Sequence, residues 1–573
     1  MKIQTNIIYL TMVLALTMGG CSQDESLSDE SSITEISDVA ISKNISVEDE
    51  AIQISGSYMR KIVKEISHDK YEGRGPGSRG DIAAREYLIE ELKEIGLEPG
   101  GVDGSWEQPF DLINIDTDEP NEWQFLRGDD SLTLKQWDHY LVSSGIQEER
   151  VSFENAEVVF VGYGIQAPEY DWDDYKGQDL TGKVLLIMNN DPEWDPDLFA
   201  GETRLWYGRW DYKYMKAAMQ GAVGAIIIHT QPSAGYPFQV LQTSSTTSQF
   251  ELPAGDEPRS QVTAWMVEDA ARELVAMAGF NLDDLRESAD NRDFKPVPLG
   301  ITTSLAMDVG ITRSKSANIL GLIPGSDADL KDEVVIYTAH HDHIGIGKPN
   351  EEGDNIYNGA MDNASGVGLV MAIAKSMRAL PQAPRRSILI ALVGAEEEGL
   401  LGSKYYAENP TFARGKIAAN INYDGINIWG HTHDVTYVGM GKSTLDQLVQ
   451  MIADEQGRVV KPDQFPSRGS FYRSDQFSFA KIGVPALYVN PGMSFVDRPT
   501  DWGKAQINHY TDFNYHQASD EYDDSWNFEG AVSDAQLGLW AGLAIANADE
   551  MPNWNEGDEF EAVRLKELKA ESE

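Results

Sequence analysis

The chain has 573 residues, 41% hydrophobic and 24% charged, enough for two or more domains with packed cores and too apolar for disorder throughout. Its 93 acidic residues against 46 Lys and Arg give a net charge of −47. Such a surface repels phosphate backbones and argues against general nucleic-acid binding, yet it is compatible with acidic pockets that attract divalent metals and ammonium groups.

In chain order, an apolar run over 7–18 follows Lys2 and is too short and too early for an ordinary membrane span. Cys21, the single cysteine, excludes internal disulfides and any cysteine-based zinc site. Met18-Gly19-Gly20-Cys21 resembles a bacterial lipobox. That resemblance implies a signal peptide over 1–20, lipidation of Cys21, and an extracytoplasmic protein tethered to a bacterial membrane, on its periplasmic side or at the cell surface. Residues 21–50, rich in Ser, Asp and Glu, read as a solvated acidic spacer. Spacing of three and four between apolar residues predicts helices over 58–66 and 82–95, joined by a glycine-rich loop at 73–80. No strand precedes that loop, so it is not read as a phosphate cradle, and Arg79-Gly80-Asp81 is read as a chance tripeptide.

Strands alternate with turns at 157–161, 183–188 and 224–229. Gly162-Tyr163-Gly164-Ile165, Tyr175-Lys176-Gly177 and Asp179-Leu180-Thr181-Gly182-Lys183-Val184 together resemble a protease-associated (PA) domain. This implies a β-rich insert over 140–295. His229, at the end of an apolar run, reads as structural. Beyond 310, short apolar runs at 334–338, 387–393, 417–423 and 484–489 read as buried strands, and 366–380 as a helix closed by Pro381. The fold class is therefore α/β, a mixed sheet flanked by helices, with an inserted β-rich domain.

Polar residues fall where these runs end. Residues 334–338 lead into His340-His341-Asp342-His343, 387–393 into Glu396-Glu397-Glu398, and 417–423 into Asp424, while Asp362 stands before the long helix. In an α/β sheet such positions converge on one crevice beyond the strand ends. Imidazoles with carboxylates suit zinc, and a carboxylate can bridge two metals. His341 and His343 would alternate away from His340 and need not be ligands.

Five segments in order carry a resemblance to the co-catalytic di-zinc aminopeptidases, peptidase family M28. They are Ala339-His340-His341-Asp342-His343-Ile344-Gly345, the run from Asn358 to Gly366, the run from Glu396 to Ser403, Asn422-Tyr423-Asp424, and Tyr515-His516-Gln517-Ala518-Ser519-Asp520. The resemblance implies a zinc-exopeptidase fold built from 51–139 and 296–555, with a charged C-terminal tail at 556–573. It implies two zinc ions per chain, bridged by Asp362. One is completed by His340 and Asp424, the other by Glu397 and His516. It also implies Glu396 as general base, Asp342 as an acid beside the ligands, and Asp520 as a second such acid. His509 competes with His516 but fits the pattern less well. The implied activity is hydrolysis of the N-terminal peptide bond of peptides. The alternatives are a same-fold carboxypeptidase, dipeptidase or glutaminyl cyclase-like enzyme, or a non-catalytic binding protein. In Ser474-Asp475-Gln476 the third residue is commonly His in the family. Gln476 cannot titrate, so the segment is read as structural or pocket-lining and substrate preference stays open. Gly441-Lys442-Ser443 lacks the glycine a phosphate loop requires, and His431 and His433 read as an exposed loop.

Overall fold

The computed structural model describes residues 53–572 except 197, 246 and 247. Cys21, the expected signal and the spacer lie outside the described residues. Among the described residues, no helix is long and apolar enough to cross a membrane.

Two sheets share one strand. Val297–Ile323 pairs antiparallel with Arg150–Phe160 through its first half, and with Glu107–Thr117 and then Ser387–Val393 through its second. In the first half Leu299, Ile301, Thr303, Leu305, Met307 and Val309 are buried between more exposed neighbours, the period of two expected when one face is covered.

Outward from this strand, the first sheet runs Ser387–Val393, Val334–His340, Ile417–Asn422, Ala486–Asn490, Asp434–Val438 and Val459–Pro462. The four strands from Ser387–Val393 to Ala486–Asn490 are parallel, and the sheet is mixed because its flanks are not. Every residue of Val334–His340, Ser387–Val393 and Ile417–Asn422 is buried, as in strands covered on both faces. On one face Val334 and Ile336 pack with Tyr406 and Phe479, from helices Leu401–Glu408 and Gln476–Lys481. On the other face Tyr337 Oη donates to Gly538 O at 2.7 Å and Tyr423 Oη to Asp534 O at 3.1 Å, both on helix Glu529–Asn547. Gly538 and Gly542 permit this approach, since a methyl group at either would overlap a tyrosine hydroxyl.

The helices expected over 58–66, 82–95 and 366–380 are Gly56–Ile66, Arg79–Ile95 and Ser365–Arg378. The second begins three residues earlier than its apolar spacing indicates, because Ser78 Oγ accepts the Asp81 N–H at 3.1 Å and caps it.

The second sheet runs Asp130–Lys135, Glu122–Arg127, Val297–Ile323, Arg150–Phe160, Val184–Met188, Gly224–His229, Val262–Val267 and Tyr140–Ser144. It reaches beyond 140–295 at both ends, since Trp123, Phe125 and Leu134 share a core with Leu299, Leu305 and Val309. One unbroken strand serves both sheets, so no turn marks the junction. The stretch 556–573 also differs from a charged tail. It contains helix Glu561–Ser572, whose Arg564 is buried and donates to Ile417 O at 2.8 Å, tying it to the central sheet.

Candidate metal centre

Three adjacent parallel strands deliver their polar residues to one end of the sheet. His340 closes Val334–His340, Glu396 and Glu397 follow Ser387–Val393 after two residues, and Asp424 follows Ile417–Asn422 after one. Asp362 lies in the turn Ala360–Ala364 that feeds helix Ser365–Arg378, and His516 follows helix Trp502–Phe513.

The two oxygens of Asp362 face different histidines. Oδ1 lies 3.2 Å from His340 Nε2, and Oδ2 lies 3.5 Å from His516 Nε2. His340 Nε2 is also 3.2 Å from Asp424 Oδ1, and His516 Nε2 is 2.9 Å from Glu397 Oε2. All five residues read as ligands thus meet, in two groups joined by Asp362. Glu396 stands at their edge, with Oε2 3.9 Å from His340 Nε2. His509 is exposed on its helix and packs on Phe513. His431 and His433 are exposed, as the loop reading expected.

Asp342 lies beside these residues and acts through the backbone. Its carboxylate accepts the backbone N–H groups of Glu396 and Glu397 at 3.0 and 3.4 Å. It stays 3.9 Å from His340 Nδ1, which is closer to the Asp342 carbonyl, at 3.3 Å. Asp342 therefore fixes the loop that carries Glu396 and Glu397, and does not hydrogen-bond the imidazole through its carboxylate. Asp520 does the equivalent for Asp362, accepting the N–H groups of Met361 and Asp362 at 3.0 Å each and the Tyr510 hydroxyl at 3.0 Å. Gln476 is buried, accepts from Asn422 Nδ2 at 2.8 Å and donates to Phe471 O at 2.7 Å, a structural arrangement.

Four other residues bear on the site without having been assigned a role in it from sequence. His343 Nδ1 lies 2.6 Å from Glu397 Oε1, on the oxygen that His516 does not face. Ser244 Oγ, at the end of helix Phe238–Ser244, lies 3.0 Å from His516 Nδ1, so a residue of the second layer, the second sheet with its helices, orients a residue of the centre. Arg74 is fully buried and donates to the carbonyls of His341, Ile66, Asn358 and Gly359 at 2.6–3.0 Å, stitching two site loops together. Asp81 is fully buried and faces His341 Nε2 at 3.1 Å, so the tripeptide that contains it is part of the framework. This corrects the alternation reading at 340–343, which turned His343 away: its ring faces the centre, and His343, Asp362 and Glu397 bring donor atoms close enough together to share one metal ion. Arg74, Asp81 and Ser244 carried no signal, because their partners are distant in sequence.

The electrostatics separate the acids. Burial raises the Glu396 carboxyl, Asp424 and Glu397 raise it further, and it stands well above the usual carboxylate range despite His340. For Glu397, burial and Asp362 push upward, but His516 and His343 outweigh them and hold it at about 2. Asp362 is held well below the usual range; burial opposes this, and His340 and His516 prevail. Burial would lower His516, but Glu397 and Asp362 drive it up to about 10. The carboxylates thus outnumber the imidazoles that face them, an excess of negative charge that divalent cations would offset. His516 Nε2 is buried and lacks a hydrogen-bond partner although two carboxylates face it. A donor set of two imidazole nitrogens and three carboxylates, without sulfur, fits zinc.

Residues 318–539 match the profile of Peptidase family M28. That segment holds every residue of the two groups. Among characterised proteins, the chain is 26% identical to leupeptin-inactivating enzyme 1 of Streptomyces exfoliatus over 265 residues, 46% of this chain and 55% of that protein. It is 27% identical to leucine aminopeptidase 2 of Trichophyton equinum over 218 residues, 35% of this chain and 39% of that protein. The chain thus spans about half or less of the length of these relatives. Among solved structures, an aminopeptidase from Aneurinibacillus sp. strain AM-1 superposes with a TM-score of 0.52 at 18% identity, covering 87% of this chain and 96% of that one. The two share the fold, a mixed α/β sheet flanked by helices.

Proposed function

We propose that this chain is a zinc-dependent aminopeptidase that hydrolyses the N-terminal peptide bond of peptides, with two zinc ions at the centre. The observation that carries the reading is Asp362, whose two oxygens each face a separate histidine and carboxylate group. The family match over 318–539 and the aminopeptidases among the relatives support it. His340 with Asp424 would hold one ion, His516 with Glu397 the other, and Asp362 both. Zinc supplies Lewis acidity toward the substrate carbonyl and toward water.

Glu396 performs the proton transfers. Its carboxylate takes a proton from the attacking water as the carbon–oxygen bond forms, and returns it to the amine nitrogen as the carbon–nitrogen bond breaks. Asp342, through the Glu396 and Glu397 backbone, keeps base and ligand in register. Asp362, Glu396, Glu397 and Asp424 line the crevice with carboxylates, which favours a free α-ammonium group on the substrate. In this reading the second layer is a PA domain that narrows access, and Cys21 carries the lipid that anchors the protein outside the cytoplasm.

The test compares kcat/KM for a short apolar peptide and its N-acetyl twin, alongside metal analysis of protein purified without chelator. The free peptide is expected to react at least tenfold faster, with close to two zinc equivalents per chain. Equal rates would favour the carboxypeptidase or dipeptidase alternative, and one equivalent the cyclase-like one.

A further inference from the structure

Next to the centre lies a group of arginines without ion-pair partners. Arg473 Nη2 donates to Tyr515 Oη at 3.3 Å, and the Tyr515 ring lies 4.0 Å from that of His516. The same guanidinium sits 5.1 Å from the centre of the Tyr236 ring. Tyr488, on the strand next to that of Asp424, stands in the field of Asp424 and Glu396 and also in that of Arg473. Arg473 acts in turn on Arg204, Arg209 and Arg468. Arg204 and Arg209 flank a short turn of the second layer, Trp206–Gly208, while Arg468 and Arg473 belong to the first.

Among the described residues, none of the four has a carboxylate within 4.0 Å. The acids that face them are bonded elsewhere. Asp191 accepts the Leu205 N–H at 2.9 Å, Asp463 the Phe465 N–H at 2.7 Å, Asp211 the Trp206 Nε1–H at 3.0 Å and Asp512 the Gln231 amide at 2.9 Å. Arg204 and Arg209 are only 3% and 9% exposed, and the Nε of each is buried without a hydrogen-bond partner. Burial together with Arg473 draws Arg209 down to about 10. Arg204 Nη1 donates to Ser233 O and Arg468 Nη2 to Asn508 Oδ1 at 2.7 Å, neutral acceptors that leave both charges unpaired, whereas the structural arginines of this fold are more fully bonded. Arg74 bonds to four carbonyls, and Arg386 pairs with Glu333 at 2.8 Å. Buried guanidinium groups left without anions are costly, and their planar forks match a carboxylate. In a chain of net charge −47, a cluster of arginines beside the centre is a local inversion of charge that an anionic group on a substrate would complement.

We propose that Arg473, with Arg209 and Arg204, binds a carboxylate of the substrate, so that the enzyme acts preferentially on peptides carrying a negative group close to the scissile bond. The carboxylate is either an acidic side chain or the free C-terminus of a short peptide. This rests on the aminopeptidase reading and names the substrate class for that site. Tyr515, between Arg473 and His516, sets the separation between the bound carboxylate and the reacting bond.

The experiment measures kcat/KM of the wild-type protein for two pairs, glutamyl- against leucyl-p-nitroanilide and Leu-Ala against Leu-Ala-amide. The acidic member of at least one pair is expected to lead by tenfold or more, and the pair that responds identifies the source of the carboxylate. In Arg473→Met, and less in Arg473→Lys, that ratio falls toward unity. Both wild-type ratios within twofold of one, or a ratio that Arg473→Met and Arg209→Met leave unchanged, overturns the proposal. The wild-type panel requires no variant to fold. N-acetylated forms cleaved as fast as free ones would instead sink the aminopeptidase reading, and the two ratios would still report on the arginines.

Discussion

Glu396 and Glu397 are neighbours of the same type whose surroundings drive them apart. Glu396 is pushed above the usual range by burial and by the acids around it, whereas Glu397, between His516 and His343, is held at about 2. A group that stays ionised suits a ligand, and one that readily holds a proton suits the transfer of one. Glu396→Gln keeps the shape and removes the base, so kcat is expected to fall about 10²–10⁴-fold with metal content intact. Asp362→Ala removes the residue common to both groups and is expected to lose metal as well as activity. Metal analysis beside kinetics separates the two; equal metal loss in both variants would mean that ligand and base have been exchanged. A second residue-scale expectation concerns His229, 4% exposed and packed among Tyr236, Phe238 and Trp265. Burial lowers it from 6.5 to about 4 despite its bond to Tyr236 O. The folded protein keeps this ring neutral while the unfolded chain protonates near 6.5. Its contribution to stability is therefore present above pH 6.5 and is lost as the pH falls toward 4, on the order of 3 kcal/mol in full. Urea midpoints of wild type and His229→Gln, compared from pH 7.5 to 4.5, should show a shallower decline in the variant. Parallel declines would refute this.

Helix Glu529–Asn547 depends on the strands Val334–His340 and Ile417–Asn422 through two missing side chains. Tyr337 and Tyr423 reach across the interface into the space left at Gly542 and Gly538, and Tyr337 bonds to the helix backbone. Alanine is ordinarily the better helix former by about 1 kcal/mol, so an isolated helix would gain from Gly542→Ala. Here the added methyl overlaps the Tyr337 hydroxyl, and overpacking in a dense core costs about 1–3 kcal/mol. The expected result is a lower thermal midpoint. The double variant Gly542→Ala with Tyr337→Phe should recover part of the loss; no recovery would show that the clash lies elsewhere. Such couplings explain what could be read from sequence. The fully apolar runs ending at His340, Val393 and Asn422 announce buried parallel strands, and the acids and imidazoles just beyond them announce the crevice. The long strand Val297–Ile323 does not announce its passage from one sheet to the other, because its pairing partners change while its own pattern continues. Helix Glu561–Ser572 looked like a solvated tail because one buried cation, Arg564, holds it, and apolar spacing does not record a bond from a guanidinium to a distant carbonyl. Ser244 and Arg74 were invisible for the same reason.

For the whole molecule, charge and attachment bear on each other. A net charge of −47 works against adsorption to an anionic lipid surface, and among the described residues no helix is suited to span a bilayer. The proposed attachment runs through the lipobox-like Met18-Gly19-Gly20-Cys21, which lies outside the described residues. A single acyl chain holds a protein weakly, whereas two or more give stable anchoring against such repulsion. Cys21 is not among the residues that form the centre, so its loss is expected to leave the peptidase activity intact. Cys21→Ala is expected to move the protein from the membrane to the soluble fraction while the purified protein keeps the wild-type kcat/KM on a soluble peptide. Fractionation followed by the peptidase assay on each fraction reads both parts. A variant that stays with the membrane at high and low salt would rule out lipid anchoring at Cys21. Release by high salt alone would instead assign attachment to an ionic contact made in spite of the overall charge.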